Sequence, residues 1–154
     1  MQKVPKLNDL YLDYASSTPV HPDVLKSYTD LLPIHYANSN ALHQAGLNVS
    51  KMLEESRLSI AKQLNVDVKT ISFCSGATEA NNVILKGIAL QYQNRGKHII
   101  TSAIEHASVL EVMKDLEKYH GFHLSFLEVN EDGRVEEETL LNALKEDTIL
   151  VSIM

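Results

Sequence analysis

The stretch from Ser75 to Asn82 has the clearest chemical potential in this chain. It reads Ser-Gly-Ala-Thr-Glu-Ala-Asn-Asn and joins a short apolar run to a long helical pattern. A strand that turns through small residues into a helix directs free backbone N–H groups and the positive end of the helix dipole at one point. The Thr78 hydroxyl adds a further donor. The stretch therefore predicts an anion site that suits a phosphate group.

The spacing of this stretch differs from the common nucleotide motifs. It matches neither the P-loop pattern G-x-x-x-x-G-K-[ST] nor the dinucleotide pattern G-x-G-x-x-G, so another phosphorylated cofactor is expected. A second strand-like run, His98 to Ser102, leads to His106 and another helical pattern. Because ligands collect at the carboxyl ends of parallel strands, the phosphate site and the imidazole are expected to share one pocket.

Several motifs occur in the order and spacing of a known family. They are Tyr-Leu-Asp-Tyr at 11–14 with Ser-Thr-Pro at 17–19, Asn38 to Asn40 ahead of His43, Ser75 to Glu79, Gly96 to Thr101, Glu105 with His106, and Asp147 to Met154. With these motifs the chain resembles the amino-terminal part of the NifS-type cysteine desulfurases. These are fold-type I enzymes of the class-V aminotransferase group that depend on pyridoxal 5'-phosphate (PLP). The resemblance runs from about Tyr11 to the last residue.

The resemblance implies roles for individual residues. Ala77 and Thr78 would bind the PLP phosphate through backbone and hydroxyl donors, and Gly76 would allow its close approach. His106 would stack on the pyridine ring and, as the catalytic residue, assist proton transfer at the substrate. No metal site is implied.

The resemblance also places two loops near the site. Ser16 to Thr18 would lie near the substrate, and residues 38–43 would lie near the mouth of the active site. Both loops depart from the family pattern, since Ser16-Ser17 replaces Ala-Thr, and Ala37 and Ser39 stand where Gly and Pro are usual. The family pattern therefore does not define the loop conformation there, whereas the phosphate site is intact.

Three functional groups of the family have no counterpart in this chain. They are the lysine that holds PLP covalently, the aspartate that pairs with the pyridinium nitrogen, and the cysteine that forms the persulfide. The chain is therefore expected to be an amino-terminal fragment that is inactive alone. The parent protein is expected to convert L-cysteine to L-alanine, leaving an enzyme-bound persulfide for iron-sulfur cluster or thio-cofactor synthesis.

The resemblance extends to domains and partners. Residues 1–20 would belong to the small domain of the full-length family, and residues 21–154 would form part of the PLP-binding large domain. A sulfur-acceptor or scaffold protein and a second copy, in a homodimer, are the expected partners. Two alternatives stay open, namely a non-catalytic partner-binding module that retains half of the fold and another class-V aminotransferase.

Composition limits the class of protein. With 154 residues and 44% apolar content, the chain is long enough for one sizeable core. The formal net charge of −6 argues against nucleic-acid binding. The sequence contains no apolar run that approaches a membrane span, and residues 1–9 lack the apolar core of a signal peptide. A cytoplasmic location is therefore expected, and residues 1–10 are expected to be a flexible end.

Hydrophobic periodicity predicts alternating strands and helices. Helices are expected at 22–32, 42–64, 78–94, 107–120 and 136–146, and strands at 71–74, 98–102, 123–129 and 148–153. This alternation predicts an α/β fold with a mainly parallel sheet covered by helices on both faces, in three layers (α/β/α), as in the large domain of a PLP-dependent transferase.

Other chemically suggestive residues have simpler interpretations. Cys74, the only cysteine, ends an apolar run and is expected to be a buried structural residue. His120 and His123 are expected at a surface turn, since no third metal ligand is near in the sequence. Asn81 and Asn82 could line the pocket, face solvent or face a neighbouring subunit, and Glu79 could simply favour the helix start.

Overall fold

The computed structural model describes residues 11–154. The chain divides into two compact units, Met1–Ser72 and Phe73–Met154. The segment expected to be flexible, residues 1–10, lies outside the described residues, as does half of the segment assigned to a small domain. The domain boundary after residue 20 stays a prediction.

The first unit is built from two helices, α1 (Pro22–Leu31) and α2 (Gln44–Leu64), followed by a 3₁₀ turn at Val68–Thr70. Proline opens α1 because its fixed φ suits a first turn, where its missing N–H costs nothing. Helix α2 ends at Asn65, which adopts the left-handed conformation with φ 53°. Both helices lie where hydrophobic periodicity predicts them.

Residues 38–43 form the turn that starts α2. The Asn38 side-chain oxygen accepts the Asn40 N–H at 2.9 Å, and His43 Nδ1 accepts the Gly46 N–H at 3.2 Å. Position 46 requires glycine, because a Cβ there would stand 2.4 Å from the Ala41 carbonyl oxygen. Local hydrogen bonds thus fix this loop, and its expected place at an active-site mouth stays a prediction.

The second unit alternates helices and strands. In chain order these are α3 (Ala77–Tyr92), β1 (His98–Ser102), α4 (Ala107–His120), β2 (His123–Leu127), α5 (Glu137–Ala143) and β3 (Thr148–Ser152). Within the described residues the three strands form one parallel sheet in the order β2-β1-β3. The prediction of an α/β fold with a parallel sheet is confirmed.

The core of the second unit lies where α3 and α4 pack on the central strand. Ile99 of β1 is fully buried against a cluster from both helices, which includes Leu85, Ala89, Val109, Val112, Met113 and Leu116. These positions recur every three or four residues, as the apolar face of a helix requires. Ile100 points to the opposite face and is fully buried too, so β1 is covered on both faces.

One buried hydroxyl on β1 is unsatisfied. Thr101 is fully buried, and its Oγ1 has no hydrogen-bond partner among the described residues. Such a group costs free energy relative to an apolar group of the same shape.

Polar groups bridge the three strands at the opposite end of the sheet. His98 is fully buried, with Nδ1 2.7 Å from Thr148 Oγ1 and Nε2 2.8 Å from Ser125 Oγ. Thr148 Oγ1 accepts the Lys145 N–H at 2.8 Å, and its own proton is available to Nδ1. Burial lowers the pKa of His98, and the charge of Lys145 acts in the same direction. The imidazole is thus a neutral connector between β1 and both of its neighbours.

Turn residues end the elements as the sequence indicates. Gly121 terminates α4 in the left-handed conformation with φ 67°, and the Phe122 N–H reaches the Leu116 carbonyl. His120 and His123 are exposed on either side of this turn, as expected. No group of His, Cys, Asp or Glu suited to a metal ion occurs in residues 11–154.

The predicted strand at 71–74 is wrong. These residues belong to no strand of the described sheet, and Cys74 is exposed rather than buried. A strand needs a hydrogen-bonded neighbour, and residues 71–74 pair with none of the three strands of the described sheet. The division between the two units also falls inside this run. The chain therefore passes from this apolar run into α3 without forming a strand of the sheet.

Across the described part of the chain, no helix combines the length and the apolar content needed to cross a membrane.

Candidate active site

The start of α3 is an open cluster of hydrogen-bond donors. Gly76 is the N-cap residue, and no described side chain caps the helix there. Ala77 and Thr78 are exposed in the first turn. Backbone N–H groups of a first turn have no partner within their own helix. The Thr78 hydroxyl adds a side-chain donor, so this helix end has the groups that bind an anion.

Glu79 organises the residues before this helix start. Its carboxylate accepts the Ser75 N–H at 2.6 Å, and this hydrogen bond lowers the pKa of Glu79. The bond closes the chain from Ser75, one residue before the N-cap, onto the first turn of α3. The carboxylate is thus engaged on the Ser75 side, and it does more than favour the helix start.

Gly76 leaves the space beside this turn empty. A Cβ at this position would meet no atom within 4 Å. The backbone of Gly76 is extended, with φ 167°, so glycine is not required by the chain's own conformation. Absence of a side chain here leaves room for a group outside the described chain, which fits the close approach of a phosphate.

The loop between β1 and α4 is held by Glu105. Its Oε1 accepts the Ser102 hydroxyl at 3.0 Å and also the backbone N–H of Met154. Ser102 ends β1, and Met154 follows the end of β3. One half-buried carboxylate therefore ties this loop to the carboxyl ends of two strands, directly before His106.

His106 is the N-cap residue of α4. Its Nδ1 accepts the Ser108 N–H at 3.1 Å and lies 2.9 Å from Ser108 Oγ. The ring itself is exposed. Capping fixes the Nδ1 side of the ring against the helix, so Nε2 is the nitrogen available to another molecule.

The starts of α3 and α4 lie together. Asn81 Nδ2 donates to Ser108 Oγ at 2.9 Å, which links the two helices. Thr78 and Ser108 line one cavity of about 370 Å³ between these helices. Asn82 instead donates to the Thr78 carbonyl of its own helix. The structure therefore brings the phosphate-binding candidates and the segment that carries His106 to the same region.

The sequence did not reveal the contacts made by Ser108 and Glu105. A serine two residues after a capping histidine is a weak local signal, and its partner Asn81 lies 27 residues away. Contacts over such separations depend on how α3 and α4 pack. For Asn81, the structure favours the helix-to-helix contact over simple exposure.

The Ser16–Thr18 loop belongs to the first unit. The Tyr11 hydroxyl lies 2.9 Å from the Asp13 carbonyl oxygen and 3.0 Å from the Ser17 carbonyl oxygen, which closes the loop. Tyr11, Ser17 and Thr18 line a small cavity of about 190 Å³. The expected position of this loop near a substrate stays a prediction.

A parallel α/β unit whose helix start offers phosphate-binding donors, next to a helix capped by histidine, is consistent with the large domain of a fold-type I aminotransferase. The profile of the class-V aminotransferases matches residues 10–154. The chain belongs to the class-V aminotransferase family.

Within this family the chain is similar to cysteine desulfurases. It is 41% identical over 146 residues to the cysteine desulfurase IscS of Dictyoglomus turgidum, which covers 95% of this chain and 37% of that protein. It is 42% identical over 148 residues to IscS of Pseudomonas putida strain F1, covering 94% of this chain and 36% of that protein. The chain thus spans little more than a third of the length of these relatives. Because the matched relatives are enzymes, the alternative of a non-catalytic partner-binding module is not favoured.

Solved structures give the same result. A NifS-like protein is 39% identical, with a TM-score of 0.83 over 89% of this chain and 37% of that chain. SspA, solved in complex with cysteine, is 34% identical, with a TM-score of 0.84 over 93% of this chain and 41% of that chain. The resemblance to NifS-type cysteine desulfurases is confirmed.

Proposed function

We propose that the chain supplies the phosphate site and the ring-stacking histidine of a PLP-dependent cysteine desulfurase. The whole protein would convert L-cysteine to L-alanine and keep the sulfur as a cysteine persulfide for iron-sulfur cluster or thio-cofactor synthesis. The observation that carries the proposal is the uncapped start of α3 beside the start of α4, in a chain about 40% identical to cysteine desulfurases over most of its length.

Gly76, Ala77 and Thr78 would hold the PLP phosphate. Two backbone N–H donors and one hydroxyl suit the oxygens of a dianion, and the helix dipole favours negative charge at the same point. Glu79 supports this arrangement because its carboxylate is taken up by the Ser75 N–H. The residues present therefore fit a phosphate group.

His106 would face the cofactor ring and the substrate. Because Nδ1 is occupied by Ser108, the exposed Nε2 edge is the part of the ring that would exchange hydrogen bonds there. When bound, PLP supplies an electron sink that an amino-acid side chain lacks. The chain's own contribution is to bind the phosphate, orient the ring and place an imidazole near the substrate.

The test is PLP binding to the full-length protein, followed by absorbance of the bound cofactor. Thr78→Ala removes one hydrogen bond to a charged group, worth about 1.5–3 kcal/mol, so the Kd for PLP is expected to rise about 10- to 150-fold. Thr78→Ser keeps the hydroxyl and is expected to stay near the wild-type value.

Activity with L-cysteine is the second readout. The full-length protein is expected to form alanine and sulfide in the presence of a thiol, and the 154-residue chain alone is expected to form neither. Equal PLP affinity of Thr78→Ala and wild type would contradict the phosphate assignment. Absence of PLP binding by the full-length protein would contradict the function itself.

The proposal also includes the protein partners and the cellular location. A homodimer and a sulfur-acceptor or scaffold protein are inferred from the desulfurase resemblance, and a cytoplasmic location from the sequence composition. Sedimentation of the full-length protein tests the dimer directly.

A further inference from the structure

We propose that Ser108 and Asn81 are positioning residues that hold the imidazole of His106 in one tautomer, with its proton on Nε2. This inference rests on the proposed function, in which His106 faces the cofactor ring and the substrate. It concerns the state of the ring before any cofactor binds.

The backbone N–H of Ser108 favours one role for Nδ1. The Ser108 N–H lies 3.1 Å from His106 Nδ1, and a backbone N–H is only a donor. This contact favours the tautomer in which Nδ1 presents its lone pair. A neutral imidazole carries one proton, so in that tautomer the proton resides on Nε2.

The Ser108 hydroxyl reinforces the same assignment. Ser108 Oγ lies 2.9 Å from Nδ1 and also accepts a hydrogen bond from Asn81 Nδ2 at 2.9 Å. Because the amide nitrogen can only donate, it leaves the hydroxyl proton free to point at Nδ1. The three side chains form a directed series from Asn81 through Ser108 to His106.

This series adds something that the backbone cannot supply. Any residue at position 108 other than proline would provide the backbone N–H, whereas only a hydroxyl can receive the Asn81 amide and pass a donor to Nδ1. His106 is exposed, while Ser108 and Asn81 are half-buried, so the series replaces water at Nδ1 with fixed protein donors. It also anchors the imidazole to α3, the helix whose first turn would hold the phosphate.

The chemical consequence concerns the Nε2 edge. A neutral ring held in this tautomer presents a hydrogen-bond donor at Nε2, and it has no lone pair there to accept a proton. Toward a neighbouring cofactor or substrate, the resting imidazole therefore donates at Nε2 rather than accepts.

The experiment measures the tautomer directly. The full-length protein, without cofactor, is labelled with ¹⁵N in its histidines and studied by NMR at about pH 8.5, well above the ordinary histidine pKa. His106→Gln identifies the signals by their loss. In the wild type, Nε2 is expected to be the protonated nitrogen and Nδ1 the unprotonated one, with widely separated resonances.

Three substitutions, two at Ser108 and one at Asn81, test the series. Ser108→Ala removes the hydroxyl, so both nitrogen resonances of His106 are expected to move toward each other as the second tautomer becomes populated. Ser108→Thr keeps the hydroxyl and should restore the wild-type positions. Asn81→Asp replaces the donor by an acceptor that attracts the Ser108 proton, and it should produce the same shift as Ser108→Ala.

Asn82→Asp is the matched control for Asn81→Asp, since it makes the same substitution at the next residue. The Asn82 amide bonds to the Thr78 carbonyl, so this variant should leave the His106 resonances unchanged. A protonated Nδ1 in the wild type, or unchanged resonances in both Ser108→Ala and Asn81→Asp, would overturn the proposal. PLP binding is measured separately on the same proteins, and its absence would count against the proposed function while leaving the tautomer result intact.

Discussion

Adding one methyl group at Gly96 should weaken the parallel sheet. A Cβ built at this position stands 2.1 Å from the Asp147 carbonyl oxygen and 2.6 Å from its carbon. Ordinary contact begins at 3.4 Å, and both atoms belong to the backbone, so no side-chain rotation relieves the clash. Gly96→Ala therefore requires the chains that lead into β1 and β3 to move apart by about 1 Å or more.

The magnitude follows from what this movement breaks. The Asp147 carbonyl oxygen accepts the His98 N–H at 3.1 Å, and a shift of about 1 Å removes that bond. Overpacking costs about 1–3 kcal/mol, and a lost hydrogen bond adds about 1 kcal/mol. The free energy of unfolding is expected to fall by about 2–4 kcal/mol.

Gly87→Ala is the matched control. Gly87 lies inside α3, and a Cβ there would meet no atom within 4 Å. The same substitution should raise the free energy of unfolding by about 0.5–1 kcal/mol, because alanine is the better helix former. The same added methyl group is thus predicted to lower the free energy of unfolding at position 96 and to raise it at position 87.

Urea denaturation followed by circular dichroism measures both variants, and amide hydrogen exchange at His98 gives a local reading. Exchange at this amide is expected to accelerate about 30-fold or more in Gly96→Ala. The reasoning is refuted if the two variants shift stability in the same direction, or if Gly96→Ala stays within about 0.5 kcal/mol of the wild type.

Two further predictions concern buried polar groups on the sheet. Thr148→Val removes the hydroxyl that contacts the His98 ring, so the free energy of unfolding is expected to fall by about 1–3 kcal/mol in urea denaturation. Thr101→Val removes a hydroxyl without a partner among the described residues, so the free energy of unfolding should rise by about 1 kcal/mol. Equal effects of the two substitutions would contradict the assigned contacts. Because burial lowers the pKa of His98, the unfolded chain binds a proton more readily than the folded one. Stability should therefore fall as pH drops through about 6.5 and level off below the lowered pKa, and a His98→Gln variant that keeps the same pH dependence would exclude this source.

Local signals predicted most of the elements. Helix α4 lies at 107–120 as expected, because an apolar face with period 3.6 ends at Gly121, a residue suited to the left-handed conformation. Strand β1 also has the predicted bounds, since a run of apolar residues bounded by polar ones is itself a local feature. The class of fold follows from the alternation of such segments.

Contacts between distant residues could not be predicted in the same way. The run at 71–74 has the composition of a strand, but pairing depends on a neighbour that composition does not reveal. The link between Asn81 and Ser108 depends on the packing of α3 against α4. At the candidate site, the motif predicted Gly76 to Thr78 and His106 as site residues, which stays a prediction. The surrounding hydrogen bonds required three-dimensional placement.

The buried imidazole of His98 also favours the observed register of β1 with β2 and β3. Its two hydroxyl partners come from β2, 27 residues later, and from β3, 50 residues later. A slip of either strand by one residue turns its side chains to the opposite face and leaves an imidazole nitrogen buried without a partner. Both imidazole nitrogens of His98 are therefore satisfied only when β2 and β3 are both aligned correctly with β1.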